Sequence, residues 1–335
     1  VFSSNHVDVV GSTYSEPMDL DPELLNTVPD DAGDRYAVLR AENAVAARYW
    51  GGFQPRMLAT FLLISVLWTA VLIAGLTGAL PLWLGLILNT LLASTFYMPM
   101  HETVHKNMWG QETRMRWLED VVGKVCSIPL GMSFVAHRAS HMRHHAYTND
   151  PDRDSDAFSE GPLWAIPGKW FVVVLLNTFF PIFAIVPAAR KLLPAKMKRA
   201  AAGAANKKEG LALLRFWFVT HAILLAAFLS GVGVPALLLW YIPMRLQQLW
   251  LLVVFAWYPH HPAKKVGRYV DTRVAVFPGS TFLIRGHDHH ALHHLYPRVP
   301  HYRLKKMWQE VANDLVPKGV RAEGKALAAT GPIVW

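Results

Sequence analysis

The chain has 335 residues, 53% of them hydrophobic, and 33 Lys and Arg against 24 Asp and Glu give it a formal net charge of +9. Its single cysteine, Cys126, excludes a disulfide framework and any thiolate-built zinc or iron–sulfur site, so metal ligands here must be histidine or carboxylate. No compact basic motif with interleaved aromatics accompanies the positive charge, which argues against nucleic acid as a partner and for a membrane protein with its cations on one side.

Residues 1–56 are polar, with no basic region ahead of an apolar run and so no signal peptide expected. Asp19 to Asp34 reads as an acidic, proline-bearing arm. From Asp34 to Trp50, Tyr36, Leu39, Ala44, Ala47 and Trp50 suggest an amphipathic helix, flanked by Arg35, Arg40 and Arg48. It would lie along a membrane surface or pack as an ordinary soluble helix.

No charged residue occurs between Arg56 and Glu102, which leaves room for two spans of about 20 residues each. The uncharged stretch Gly75-Leu-Thr-Gly-Ala-Leu-Pro81 divides them, so a hairpin is expected over 57–100. Its second arm delivers His101 and His105 to the membrane boundary.

Residues 101–215 form a polar region around His137-Arg-Ala-Ser-His141-Met-Arg-His144-His145. On a helix at about 100° per residue, these four histidines fall within roughly one quarter of the circumference. A stripe of neutral imidazole is a metal-binding face; the alternative is a histidine-rich surface patch. Asp150, Asp152, Asp154 and Asp156 alternate just beyond it. A calcium loop of the EF-hand type needs Gly at its sixth position and Glu at its twelfth, where this chain has Ser155 and Gly161. Asp150 and Asp154 are instead expected to orient imidazoles through their second ring nitrogens, or else to be solvated loop charge.

Residues 164–189 are apolar but broken by Pro167, Pro181 and Pro187, and seven Lys and Arg follow between Arg190 and Lys208. Two further apolar runs, Phe216–Gly231 and Pro235–Tyr258, share an uncharged turn. If 164–189 crossed the membrane, the basic stretch would lie outside and His260 away from the other histidines. If it is re-entrant or interfacial, nearly every cation is cytoplasmic and all histidine clusters share one face. The expectation is therefore an all-α integral membrane protein with four transmembrane helices as two hairpins, 57–100 and 216–258. Both termini and the histidine-bearing helical cap are then cytoplasmic, with residues 259–335 forming the C-terminal part of that cap. Arg245, Gln247 and Gln248, inside the last span, are expected to line a substrate or access cavity, or to hydrogen-bond between helices. His221 is expected to be a packed residue of the third span.

Beyond the last span come Trp-Tyr-Pro-His260-His261-Pro and the third cluster, His287-Asp-His289-His290-Ala-Leu-His293-His294. Residues 302–315 predict an amphipathic helix, and the last twenty residues read as loose. One zinc takes three or four ligands, so the three clusters suit two ions better than one. An imidazole set without thiolate suits iron, with zinc, copper and nickel left open by ligand type alone. His101-Glu102-Thr-Val-His105 also matches the zinc-protease motif with Glu as general base, a reading that leaves the other histidines idle. A metal transporter would thread ionisable residues through its spans, where Arg245 stands almost alone.

His-x-x-x-His at 101 and 105, His-x-x-His-His at 141, 144 and 145, and His-x-x-His-His-Leu-Tyr-Pro at 290, 293 and 294 resemble the three histidine boxes of the membrane fatty acid desaturase superfamily. Alkane and carotenoid hydroxylases and ketolases share those boxes, and the resemblance runs from about residue 55 to 310. It implies a non-haem di-iron centre that uses O2 to oxidise an unactivated C–H in a lipid chain, by acyl desaturation or hydroxylation, or by carotenoid or alkane oxidation. Carried over box by box, it implies nine ligands: His101, His105, His141, His144, His145, His260, His290, His293 and His294. His260 enters through Trp-Tyr-Pro-His, which resembles the corresponding segment of carotenoid ketolases, and His261 is its rival. His137, His287 and His289 depart from the pattern and are expected beside the metals rather than on them. His6 and His301 are expected to be structural or exposed. With one cysteine and no Gly-x-Gly-x-x-Gly fingerprint, electrons must come from a separate donor of ferredoxin, rubredoxin or cytochrome b5 type with its reductase. An acidic donor would suit the basic surface.

Overall fold

The computed structural model describes residues 32–110, 114–192 and 207–330. The acidic arm, His6 and most of the basic stretch 190–208 lie outside the described residues. Among the described residues, four helices are long and apolar enough to cross a membrane: Pro55–Leu76, Leu82–Val104, Lys207–Leu229 and Gly233–Trp257. The first starts on Pro55, whose fixed φ and missing N–H suit a first helical turn. The hairpin turns fall at Gly78 and Gly231, both at positive φ. The third helix begins earlier than its apolar run because its charged start is satisfied: the buried Glu209 accepts both Arg143 Nη atoms, at 3.2 and 3.3 Å.

The second and fourth spans form the centre, 44% and 56% buried against 17% and 6% for the first and third. They approach closely at Gly85, where a Cβ would lie 2.3 Å from Leu239 Cδ2. Asn89 Nδ2 donates to the Leu239 carbonyl beside it, at 2.7 Å. The fourth span widens into π turns at Leu237–Tyr241 and Leu252–Trp257, and the second of these leads directly to His260.

The apolar helix Leu163–Thr178 is too short to be one of the four. It runs along the fourth span. Trp257 Nε1 donates to the Gly161 carbonyl, Trp170 Nε1 to the Arg245 carbonyl and Trp217 Nε1 to the Thr178 carbonyl. At Phe179 it breaks into the short helices Phe180–Ile185 and Pro187–Arg190.

Helix Arg116–Leu130 carries Pro129 in its last turn and ends on Gly131 in the left-handed region. Its terminal carbonyls need donors, and the fourth span supplies them. Gln247 Nε2 reaches the Leu130 carbonyl at 2.8 Å, and Gln248 Nε2 those of Leu130 and Gly131 at 3.2 and 3.3 Å. Arg245 Nη1 lies 3.5 Å from the Gly131 carbonyl. Arg245, Gln247 and Gln248 thus make interhelical contacts, one of the two roles expected of them, and Gln247 and Gln248 each also border a cavity.

The amphipathic helix His301–Leu315 buries Leu304, Met307, Trp308, Val311, Ala312 and Leu315. Helix Ala32–Ala47 docks on the same cluster through Ala46. Its Glu42 accepts from Tyr269 Oη (2.7 Å), Lys318 Nζ (2.7 Å) and Arg268 Nη2 (3.0 Å). One face of this helix therefore packs on protein, while its Tyr36 is exposed. Two short strands depart from the helical plan: β1 (Arg273–Val276) and β2 (Arg321–Gly324) pair in parallel, Arg273 opposite Arg321. The end of the chain is therefore not loose as far as Thr330: Trp308 Nε1 also holds the Ala326 carbonyl at 3.1 Å.

Candidate metal centre

Three helical pieces aim imidazoles at two points. His101 and His105 end the second span, His141, His144 and His145 lie on helix Phe134–Ala146, and His290, His293 and His294 lie on the short helix His290–Leu295. Spacings of three and four place such residues on one helical face. One group is His101, His105, His141 and His293; the other is His144, His260, His290 and His294. Within each group, one ring nitrogen per residue lies within 4.8 Å of all the others. In the first, Nε2 atoms meet at 3.0 Å (His101, His293) and 2.9 Å (His105, His141). In the second they meet at 3.1 Å (His144, His260), 3.0 Å (His260, His290) and 3.0 Å (His290, His294). His145 stands between the groups. Its Nε2 is 3.1 Å from that of His141, and its ring stacks on His294 at 4.2 Å.

The other ring nitrogens show how two of these rings are fixed. His144 Nδ1 is 2.8 Å from Asp154 Oδ1, while Asp154 also accepts the Asn149 and Asp156 N–H groups. The Thr148 hydroxyl donates to the His144 carbonyl and so accepts from His294 Nδ1, at 3.1 Å. A proton fixed on Nδ1 leaves the Nε2 lone pair free for a metal. Burial, and then the neighbouring imidazoles, push His141, His145, His260, His290, His293 and His294 well below the usual histidine range. Burial takes His105 down to about 4. These rings are neutral at pH 7, the form that binds metal. His144 departs from them: burial lowers it, but the Asp154 and Asp156 carboxylates outweigh burial and raise it to about 9.

The remaining candidates sit around the groups. His137 stacks on His141 at 5.6 Å, with its Nε2 buried and unpartnered. His287 packs edge-on against Phe255 at 4.3 Å, and His289 Nδ1 pairs with Asp288 at 2.9 Å. His261 turns away from the centre and stacks on Trp257 at 4.5 Å. Asp150 closes its own turn, accepting from the N–H groups of Asp152 and Arg153 and from Arg153 Nε, and takes no part in orienting a histidine. Glu102 is engaged elsewhere too: its Oε1 is 2.9 Å from His301 Nδ1. With His141 and His293 completing the first group, the protease arrangement is not formed. His221 is a packed residue, held between the Trp217 carbonyl and Tyr241 Oη.

Cavities flank the centre, and a small one of about 20 Å³ is lined by His144, His260 and Asp154 themselves. One of about 170 Å³ lies between the fourth span and helix Leu163–Thr178, lined by Tyr97, Met132, Trp170, Val173, Leu251 and Phe255 among others. Tyr97 and Phe255 meet at 4.2 Å, and Tyr97 leans on His101 at 5.8 Å. Another, about 270 Å³, opens beside His105 and is edged by Lys106, Arg116, Arg138 and Arg298. Tyr97, Phe255 and Thr148 were missed in the sequence. Tyr97 stands one helical turn before His101 and Thr148 one turn after His144, and that spacing was the available signal.

Comparison with known proteins supplies the family. The family profile described as Fatty acid desaturase matches residues 77–322, well over half of the chain. The sn-1 acyl-lipid omega-3 desaturase (ferredoxin) of Nostoc sp. (strain 36) is 22% identical over 324 residues, covering 89% of this chain and 85% of that protein. Three histidine boxes, four apolar spans and the family match together place the chain in the membrane fatty acid desaturase superfamily, and it belongs to the fatty acid desaturase family.

Proposed function

We propose that this chain is an O2-dependent acyl-chain desaturase whose nine histidines hold two iron ions, and that His101, His105, His141 and His293 serve one ion and His144, His260, His290 and His294 the other, with His145 between. The observation that carries this reading is the gathering of eight buried or half-buried imidazoles into two groups of four. In each group four imidazoles bring one ring nitrogen apiece within 4.8 Å of one another, with no thiolate or carboxylate among them, a donor set that suits iron. A bound iron pair would supply the activation of dioxygen that an unactivated C–H requires.

The chain's own residues do the rest. Asp154 and Thr148 hold protons on the outer nitrogens of His144 and His294. The 170 Å³ cavity admits an acyl chain from the bilayer between Trp170 and the fourth span, and Tyr97 and Phe255 set how near the chain comes to the His101 side. The walls there are mainly apolar, with Asp156, Asn177 and Gln248 as polar lining. Loss of two hydrogens, rather than gain of an oxygen, is favoured by the name of the Nostoc relative. That name also favours a ferredoxin-type donor. An acidic donor would meet Lys106, Arg116, Arg138 and Arg298 beside His105.

The charge-free turns near Gly78 and Gly231 would face outside and the histidine cap the cytoplasm, in keeping with the positive-inside rule. Lipid mass spectrometry of cells with and without the protein tests the reaction. A lipid product lighter by two hydrogens, formed only with O2 and a reduced donor, supports it; the same product without O2, or peptide cleavage alone, contradicts it.

A further inference from the structure

A larger cavity, about 900 Å³, lies between the first, second and fourth spans beneath the loop 281–289. That size is within the range of roughly 300–1,000 Å³ usual for small-molecule sites. It is not the acyl cavity. Leu246, Gln247 and Trp250 line it from the fourth span, whereas Gln248, Leu251, Leu252 and Phe255 line the other, on the far side of the same helix.

Its chemistry is divided. Ile64, Leu91, Leu92, Leu246 and Trp250 supply apolar walls, and Arg56, Arg285 and Lys305 supply cations at the end beneath the histidine cap. Arg285 is mostly buried. Its Nη2 donates to Ser94 Oγ at 3.0 Å, and its Nε is buried without a partner. Among the described residues it forms no ion pair. The lining carboxylate, Asp288, is taken by Ser280 (2.8 Å), Thr281 (3.1 Å) and His289 (2.9 Å). Burial therefore lowers the Arg285 guanidinium to about 10 with no acidic neighbour opposing it. Its backbone is held at φ +52°, uncommon for a residue with a side chain, ahead of Gly286 at +85°. Such a conformation persists where the surroundings impose it. A buried cation lacking an anion is costly, and a guanidinium fork suits a phosphate.

We propose that this groove is a second lipid site, which holds an anionic phospholipid with its headgroup phosphate on Arg285, Arg56 and Lys305 and an acyl chain along Leu91 and Trp250. The walls argue for a lipid over a soluble anion. They belong to three membrane-spanning helices, and Leu91 is 62% exposed on the surface those helices present to the bilayer.

The test uses the purified full chain in neutral detergent, with bound lipid counted by native mass spectrometry and thermal stability followed in parallel. Phosphatidylglycerol should be retained at one molecule per chain and raise the melting temperature, and phosphatidylcholine with the same chains should do neither. Arg285→Gln and Lys305→Gln should each cut retention about tenfold, the scale of one lost charge-assisted hydrogen bond. Leu91→Trp should remove retention by filling the groove. If Arg285→Gln does not fold, the other two variants decide. Equal retention of both lipids, or retention unchanged by all three variants, overturns the proposal. So does an equal thermal shift from soluble glycerol phosphate, which would mean an anion site only, and so does a chain that binds no lipid and covers the groove by dimerising. Retention is read without turnover, so failure of the desaturase reading would leave this result standing.

Discussion

The carboxylate of Asp154 lies 2.8 Å from Nδ1 of His144, and both residues are almost completely buried. Its second oxygen accepts the Asn149 N–H at 2.7 Å, so the turn after the box helix is tied to the ring it orients. Asp154→Asn keeps the shape and removes the charge. Loss of such an outer partner costs roughly 10- to 100-fold in metal affinity or activity. Iron retention against a chelator should fall by that order in Asp154→Asn and stay unchanged in Asp150→Asn. Equal behaviour of the two variants would remove Asp154 from the centre.

Val173 forms part of the wall between helix Leu163–Thr178 and the fourth span. A Trp at this position would fill much of the 170 Å³ cavity while touching no histidine. Val173→Trp should therefore keep its iron and lose about a hundredfold in product formation, the scale of a misplaced reacting carbon. Unchanged turnover of the same lipid would place the acyl path elsewhere.

Glu42 fastens the N-terminal helix to the C-terminal cap. Burial pushes its carboxyl up, but the hydrogen bonds from Lys318, Tyr269 and Arg268 outweigh burial and hold it below the usual carboxylate range. A carboxyl depressed by folding contributes stability above its unfolded pKa, about 4.3, and loses it as pH falls through the lower folded value. Glu42→Gln should cost about 1–3 kcal/mol at pH 7. The difference from wild type should close as the pH falls below about 4. Hydrogen exchange of residues 36–47 at several pH values measures it; a difference independent of pH would contradict the pairing.

Much of this was legible in the sequence because it rests on period and on absence of charge. Long uncharged runs mark the spans, and His at i, i+3 and i+4 marks the boxes. The sequence could not say which imidazole serves which group. His141 and His144 go to different groups, and so do His290 and His293, a division that spacing does not encode. The roles of Gln247, Gln248 and Arg245 depend on where the helix Arg116–Leu130 ends, a contact from distant sequence. The pair β1–β2 is only four residues long on each side, too short for a period-two signal. Asp150 and Asp154 look alike in sequence, and only the fold of the turn decides that one meets a histidine.

The central claim is that two histidine groups each hold an iron. Its most direct test is metal analysis of the purified chain beside His105→Ala and His294→Ala, one ligand taken from each group. The expected result is about two irons per wild-type chain, with each variant losing metal and the desaturated product together. One zinc per chain, no iron, and His294→Ala without effect on metal content would contradict the account.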